Sequence, residues 1–311
     1  MVWLIWLSSR QNWPVVTSEP TRPIQANVTF TSQPITTTGS QPSKTHTPSV
    51  TRTSIALTQT TIPSASQPGI GSTMTSDKDG MILVYVPAGE FSMGSSAVAF
   101  ATGRTVHLDA FWIDQTEVTN KQYALCVSAG SCNPPMQTKS KTRLSYFGNS
   151  EFDNYPVVYV DWNRAYTYCS WVNRRLPSAA EWEKAARGTD SRNYPWGDQE
   201  ACAYANYSGL PGERACIGDT TEVGNYPNGQ SPYGAYDMAG NVWEWVNDYY
   251  SIYEDLSSVN PQGPENGNQR MLRGGAWNTS GYPMLSAYRD WLHSYTDYSS
   301  VGFRCAISAN Q

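Results

Sequence analysis

Asp237-Met-Ala-Gly-Asn-Val-Trp-Glu-Trp245 sets a carboxylate at its start, another near its end and a Gly-Asn pair at its centre. Carboxylate and backbone carbonyl oxygens at this density are the hard donors that Ca²⁺ selects. A second reading makes Asn241 and Glu244 ordinary loop residues around two buried tryptophans, Trp243 and Trp245. Both readings place the run inside a loop-rich half of the chain. Beyond Gly188 the periodicity of helix and strand fades, and Gly, Asn, Asp, Pro and Tyr dominate. Loops this long persist in a folded domain when disulfides, bound ions or a functional surface pin them.

Upstream of Gly188 the periodicity is clear. Gly80 to Gly94 predicts two short strands with a turn at Ala88-Gly89, and Val106 to Ile113 predicts another. Thr119 caps a helix running to about Ser128, with Gly130 just past its end. Asp161 caps a second, whose Trp162, Ala165, Tyr166, Cys169 and Val172 form one apolar stripe. Ser178 and Glu181 have capping-box spacing for a third, with Trp182, Ala185 and Ala186 facing inward and Gly188 ending it. The fold class is therefore α+β, with two or three helices and long ordered loops.

The chain has 311 residues and a formal charge of −5, which excludes a basic nucleic-acid footprint. Its charged fraction of 15% is low because one end is not built like a domain. Thr17 to Ile70 contains 14 Thr, 8 Ser, 7 Pro and four charges, and no Cys, Trp or Tyr. Such a segment buries too little apolar surface to offset chain entropy. The expected organisation is an apolar remnant of a membrane segment or signal over 1–16, a disordered Ser/Thr/Pro-rich stalk over 17–76, and a folded domain over 77–311. The apolar start, Val2-Trp-Leu-Ile-Trp-Leu7, fits a membrane tether. Six cysteines fit an oxidising compartment, so an extracellular or cell-surface location is expected. Cys126 and Cys132 bracket the end of the first helix and fit a local loop closure, and Cys202 and Cys216 bracket Gly209 to Gly212. The alternative to disulfides is a pair of free thiols that bind a metal.

A series of motifs then becomes recognisable in order: Val86-Pro-Ala-Gly-Glu-Phe-Ser-Met-Gly94, Thr116-Glu-Val-Thr-Asn120, Arg175-Leu-Pro-Ser-Ala-Ala-Glu-Trp-Glu183, Tyr194-Pro-Trp-Gly197, Asp237 to Trp245, Arg273-Gly-Gly-Ala-Trp277 and Gly302-Phe-Arg-Cys305. Together they resemble the sulfatase-modifying factor family, whose best-known members are formylglycine-generating enzymes. The resemblance implies a variant of the C-type lectin fold, with a small, twisted antiparallel sheet. It implies one structural calcium at Asp237 and Glu244 with the carbonyls of Gly240 and Val242. It implies a second at Asn206, the carbonyl of Tyr207, and Asp219. It also implies a Cys169–Cys305 bridge.

Formylglycine-generating enzymes hold Cu(I) on two thiolates between the last two motifs, because a soft ion needs soft ligands. In this sequence the interval 278–301 has no cysteine, and the aligned positions are Gly281 and Ser286. Copper is therefore not expected, and no catalytic residue is assigned. The interval instead carries Tyr282, Trp291, His293, Tyr295 and Tyr298 among Ser, Thr, Asp and Asn. Rigid amphipathic rings among small hydrogen-bonding groups have the chemistry of a recognition surface. The expected function is a calcium-stabilised module that binds a protein or small-molecule ligand in the late-loop cleft. The alternatives are a divergent formylglycine-generating oxidase acting on a sulfatase cysteine, or the ectodomain of a larger membrane sensor.

Overall fold

The computed structural model describes residues 67–98, 101–209, 215–251 and 257–310. The apolar remnant and the stalk as far as residue 66 lie outside the described residues. The first sheet is antiparallel, in the order β1 (Thr73–Thr75), β2 (Ile82–Val86), β5 (Phe111–Asp114), β10 (Ala306–Ser308). Strands β3 (Gly89–Met93) and β4 (Arg104–Leu108) form a two-stranded ribbon. The third sheet runs β8 (Asp290–His293), β7 (Gln269–Arg273), β6 (Trp243–Tyr249), β9 (Val301–Phe303). Its β6 and β9 run parallel, beside antiparallel β6–β7 and β7–β8 pairs.

Three details refine or depart from these expectations. The strands on either side of Ala88-Gly89 do not pair with each other; β2 pairs with β1 and β5, whereas β3 pairs with β4. Val106 to Ile113 is not one strand, because Asp109 and Ala110 divide β4 from β5. The sheet also begins at Thr73, ahead of the Asp77 boundary; Thr73–Thr75 is exposed at every position and so lacks the apolar alternation that marks a strand in sequence.

The three helices form where their caps are written. α1 (Asn120–Ser128) starts at a reciprocal capping box between Thr119 and Gln122, and α3 (Ala179–Arg187) at one between Ser178 and Glu181. α2 (Trp162–Trp171) is capped by the Asp161 side chain on the Arg164 amide. Its buried stripe uses Tyr168 rather than Tyr166, which is exposed. α3 buries Trp182, Ala185 and Ala186 against the β3–β4 ribbon and the third sheet, while α1 and α2 pack around Trp245 and Phe303. The three disulfides are Cys126–Cys132, Cys169–Cys305 and Cys202–Cys216. The Cys169–Cys305 bridge spans 136 residues and ties α2 to the C-terminal strands. Chain-entropy accounting assigns such a loop roughly 4–5 kcal/mol as an upper value.

At the N-terminus of α3 the buried Asp248 carboxylate accepts the Ala179 amide at 2.8 Å. Burial pushes its pKa up to about 7 from an ordinary 3.8. The folded state thus holds this proton over a range where the unfolded chain has released it. The resulting stabilisation is complete below about pH 4 and is lost as pH rises to about 7. Asp248→Asn should flatten this part of the profile, so the stability difference between variant and wild type, read by urea denaturation, should shift in the variant's favour by a few kcal/mol between about pH 4 and pH 7.

Candidate functional site

The late segment is held at its base by one buried arginine. Arg273 closes β7, is 0% exposed, and pairs with Glu183 of α3 at 2.7 Å. Its Nη1 and Nη2 also reach three successive main-chain carbonyls of the late segment, Ser286 at 2.8 Å, Ala287 at 3.3 Å and Tyr288 at 2.6 Å, which leaves only Nε without a partner. Glu183 also accepts the Gly94 amide at 2.6 Å and pairs with Arg187 at 3.0 Å. The late segment is thereby tied through one carboxylate to α3 and to the end of β3.

Above this base the rings fall into two groups. Tyr282 packs edge-on to Tyr288, which in turn lies against Trp243. Trp291 and His293 share an edge contact on β8, His293 stacks on Tyr295, and Trp291 meets Tyr250. Tyr295 is 72% exposed and Tyr298 51%, with Tyr282 at 42% and Trp291 at 38%. His293 Nδ1 lies 3.0 Å from the Asn268 carbonyl oxygen. Tyr298 sits apart from both groups, its carbonyl accepting the Tyr159 amide. Tyr288 is half-buried and packs against the core. Sequence reasoning missed Tyr250, Tyr159 and Tyr166, exposed or half-buried rings that only the fold brings near this surface. One sequence signal was available for Tyr166: it sits on α2 four residues from Trp162 and stacks on it.

At the two positions aligned with the family's thiols, Gly281 has φ +64° and open space where a Cβ would lie, and its amide donates to Glu200 at 3.2 Å. Ser286 is wholly buried, with its amide on the Asn193 carbonyl and its hydroxyl unpartnered. All six cysteines are in disulfides.

The Asp237–Glu244 run is held in an unusual backbone. Asp237 (φ +56°), Gly240 (+85°) and Asn241 (+58°) are all left-handed, a conformation that Asp and Asn tolerate better than most residues. A Cβ at Gly240 would lie 2.4 Å from the Asn206 carbonyl oxygen, so glycine is required there. Glu244 is filled: Arg304 binds both of its oxygens at 2.7 Å, and Trp182 Nε1 donates to one of them. Asp237 accepts the Gly224 amide at 2.6 Å. Beside it lies Glu117, 0% exposed, whose carboxyl meets no cation among the described residues and shares a hydrogen bond with the Asp237 carboxyl.

Burial pushes Asp237 up to about 6, and burial together with the Asp237 charge pushes Glu117 well above the usual range. Three buried carboxylates thus face one guanidinium, and the excess negative charge calls for protons or a cation. With Glu244 committed to Arg304, Asp237 and the Glu117 beside it are the carboxylates of this run left to answer a cation. Among the described residues no group of three or more His, Cys, Asp or Glu side chains is arranged to hold a metal, so carbonyls and water would supply most ligands.

The Asn206 set does not fit in this geometry. Asp219 accepts Ser140 Oγ at 2.6 Å, the Thr142 amide and hydroxyl at 2.8 and 2.7 Å, and pairs with Arg143 at 3.2 Å. Burial opposes its ionisation, but the Ser140 and Thr142 hydrogen bonds hold its carboxyl below the usual range. The Tyr207 carbonyl accepts the Cys216 amide. Asn206 donates to the Asp219 main chain, and only its Oδ1 lacks a partner.

Residues 70–309 match the sulfatase-modifying factor enzyme 1-like domain. The chain belongs to that family. The domain is 34% identical over 249 residues to a serine/threonine-protein kinase pkn1 of Chlamydia pneumoniae, covering 73% of this chain but 38% of the kinase's length. It is 32% identical to the formylglycine-generating enzyme of Streptomyces coelicolor, covering 73% of this chain and 89% of the enzyme. In three dimensions the sulfatase-modifying factor domain resembles Treponema denticola variable protein 1, with a TM-score of 0.63, 25% identity, and coverage of 76% and 98%. It also resembles PvdO from Pseudomonas aeruginosa in fold, with a TM-score of 0.64, 24% identity, and coverage of 77% and 99%.

Because Arg273 anchors the late segment, Arg273→Met should leave Glu183 with one fewer countercharge and release three carbonyls. A loss of about 3–5 kcal/mol is expected. Limited proteolysis should find new cleavage between residues 278 and 300, whereas cleavage elsewhere with this segment intact would show that Arg273 does not hold it.

Proposed function

We propose that this sulfatase-modifying factor domain is an exported binding module that recognises a protein or small-molecule ligand through the aromatic surface of its late segment. The observation that carries the reading is the exposure of Tyr282, Trp291, Tyr295 and Tyr298 on a main chain fastened from below by Arg273. Exposed large rings on a pre-organised backbone lose little conformational freedom on binding. The relative named variable protein 1 supports the same reading. Three disulfides suit an oxidising, extracellular setting. The kinase relative extends well past this domain, which favours a place in a larger sensor as a further setting for the same module.

The second reading is a divergent formylglycine-generating oxidase, favoured by the Streptomyces coelicolor relative. A Cys-x-Pro-x-Arg peptide incubated with the protein, copper and oxygen separates the two. No aldehyde is expected, since all six cysteines are paired and no thiolate pair is offered to a soft ion. Aldehyde formation by the native protein would replace binding with oxidation.

A structural calcium belongs to the proposal, held by Glu117 and Asp237 with the Gly240 and Val242 carbonyls, where it would neutralise the excess buried charge. An ion that binds only the native state stabilises by about 2.7 kcal/mol at one hundred times its Kd. The melting temperature of the chelated domain should therefore rise on adding calcium, and Glu117→Gln should reduce that rise. An unchanged melting temperature would remove calcium from the reading.

A further inference from the structure

Several sheet edges of this domain are closed by a short stretch of neighbouring chain. Arg175 exchanges two main-chain hydrogen bonds with Ala306 of β10, and the Val118 amide donates to the Phe303 carbonyl of β9. On β4 the closure is a parallel clamp. The His107 amide donates to the Ser258 carbonyl at 2.8 Å and the His107 carbonyl accepts the Asn260 amide at 2.9 Å, so that Val259 runs alongside.

β8 ends the third sheet with no strand beyond it among the described residues. The direction of its free groups follows from β7. The Gln269 carbonyl accepts the Tyr250 amide at 2.9 Å, so it points toward β6 and away from β8. Main-chain groups alternate sides along a strand, which makes Gln269–His293 and Met271–Trp291 the pairs with no hydrogen bond between them. The amides and carbonyls of Trp291 and His293 therefore face the open edge. Two of these four groups are used locally. The Trp291 amide donates to Asp290 Oδ1 at 2.8 Å, and the His293 carbonyl accepts the Thr296 amide at 2.9 Å.

The Trp291 carbonyl and the His293 amide are left without a partner among the described residues. A carbonyl followed two residues later by an amide is the pair that Ser258 and Asn260 present to His107. An antiparallel neighbour would need both groups of one residue, and each residue has one already taken. The side chains add an apolar complement beside this pair. Trp291 and His293 lie on one face of β8, and Tyr295 extends the row by stacking on His293. β1, also terminal in its sheet, carries Thr73, Met74 and Thr75 and no ring.

We infer that β8 receives an extended segment of a partner protein as an added parallel strand, with one residue clamped between the Trp291 carbonyl and the His293 amide. The clamped residue lies beside Leu292, so its two neighbours place their side chains on the face of Trp291, His293 and Tyr295, where apolar or aromatic groups fit. The inference rests on the binding-module reading and narrows the ligand to a polypeptide.

The test selects heptapeptides from a random library on the full chain and resynthesises the tightest binder with one backbone amide methylated at a time. Methylation removes a main-chain donor, keeps every side chain and leaves the protein untouched. Binding should weaken about tenfold or more when the clamped residue is methylated, and stay nearly unchanged at the positions on either side, whose amides point away. Hydrogen exchange of the His293 amide should slow on saturation with the peptide, and that of the Trp291 amide should not.

No saturable binder, indifference to methylation at every position, or slowing of the Trp291 amide in place of His293 overturns the parallel strand. Binding that ignores methylation but is lost in Trp291→Ala/Tyr295→Ala overturns it and leaves the aromatic surface standing. Methylation-sensitive binding with His293 protection that persists in the double variant upholds the clamp and removes those rings from the ligand's path. If no peptide binds, a small-molecule fragment library read on the Trp291 indole N–H resonance decides the wider reading, which stands on a saturable shift and fails with the strand without one.

Discussion

The pairing of Glu183 with Arg273 is the constraint on which the late segment depends. Both side chains are 0% exposed, and a buried ion pair is tolerated only when its remaining donors and acceptors are also satisfied. Glu183 meets that requirement through Gly94 and Arg187, and Arg273 chiefly through the carbonyls of the late segment. Because each partner needs the other's surroundings, α3, the end of β3 and the late segment have one mutually satisfying arrangement. Trp182 reinforces it, with its ring beneath Arg273 and its indole N–H on Glu244.

A second centre obeys the same rule less completely. Arg304 satisfies Glu244 and the carbonyls of Asp114, Gln115 and Tyr236, joining β5, β6 and the C-terminal motif. Glu117 and Asp237 are left with surplus negative charge in a place that water does not reach. The left-handed residues around Gly240 cost backbone energy, and their retention beside the surplus charge makes this run a candidate ion cradle as well as a turn.

Much of the local structure was legible because caps and stripes are short-range signals. Thr119, Asp161 and Ser178 each start a helix by satisfying their own backbone. The strand partners of β2 and β3 were not legible, since a turn at Ala88-Gly89 is equally compatible with a hairpin and with a crossing between sheets. Glu117 was missed as a site residue because its importance lies in its burial beside Asp237, which only the folded surroundings reveal. Asp219 was assigned to a cation on resemblance, and the structure surrounds it instead with Arg143 and hydroxyls from a loop whose approach no local pattern announces.

Arg273 grips oxygen atoms of the polypeptide backbone, which every amino acid supplies alike. The attachment of residues 286–288 is therefore indifferent to much of the outward chemistry of their neighbours. Mutation can redraw the ring pattern between residues 278 and 300 without loosening the scaffold beneath, giving this stretch an evolutionary latitude that the surrounding interior lacks.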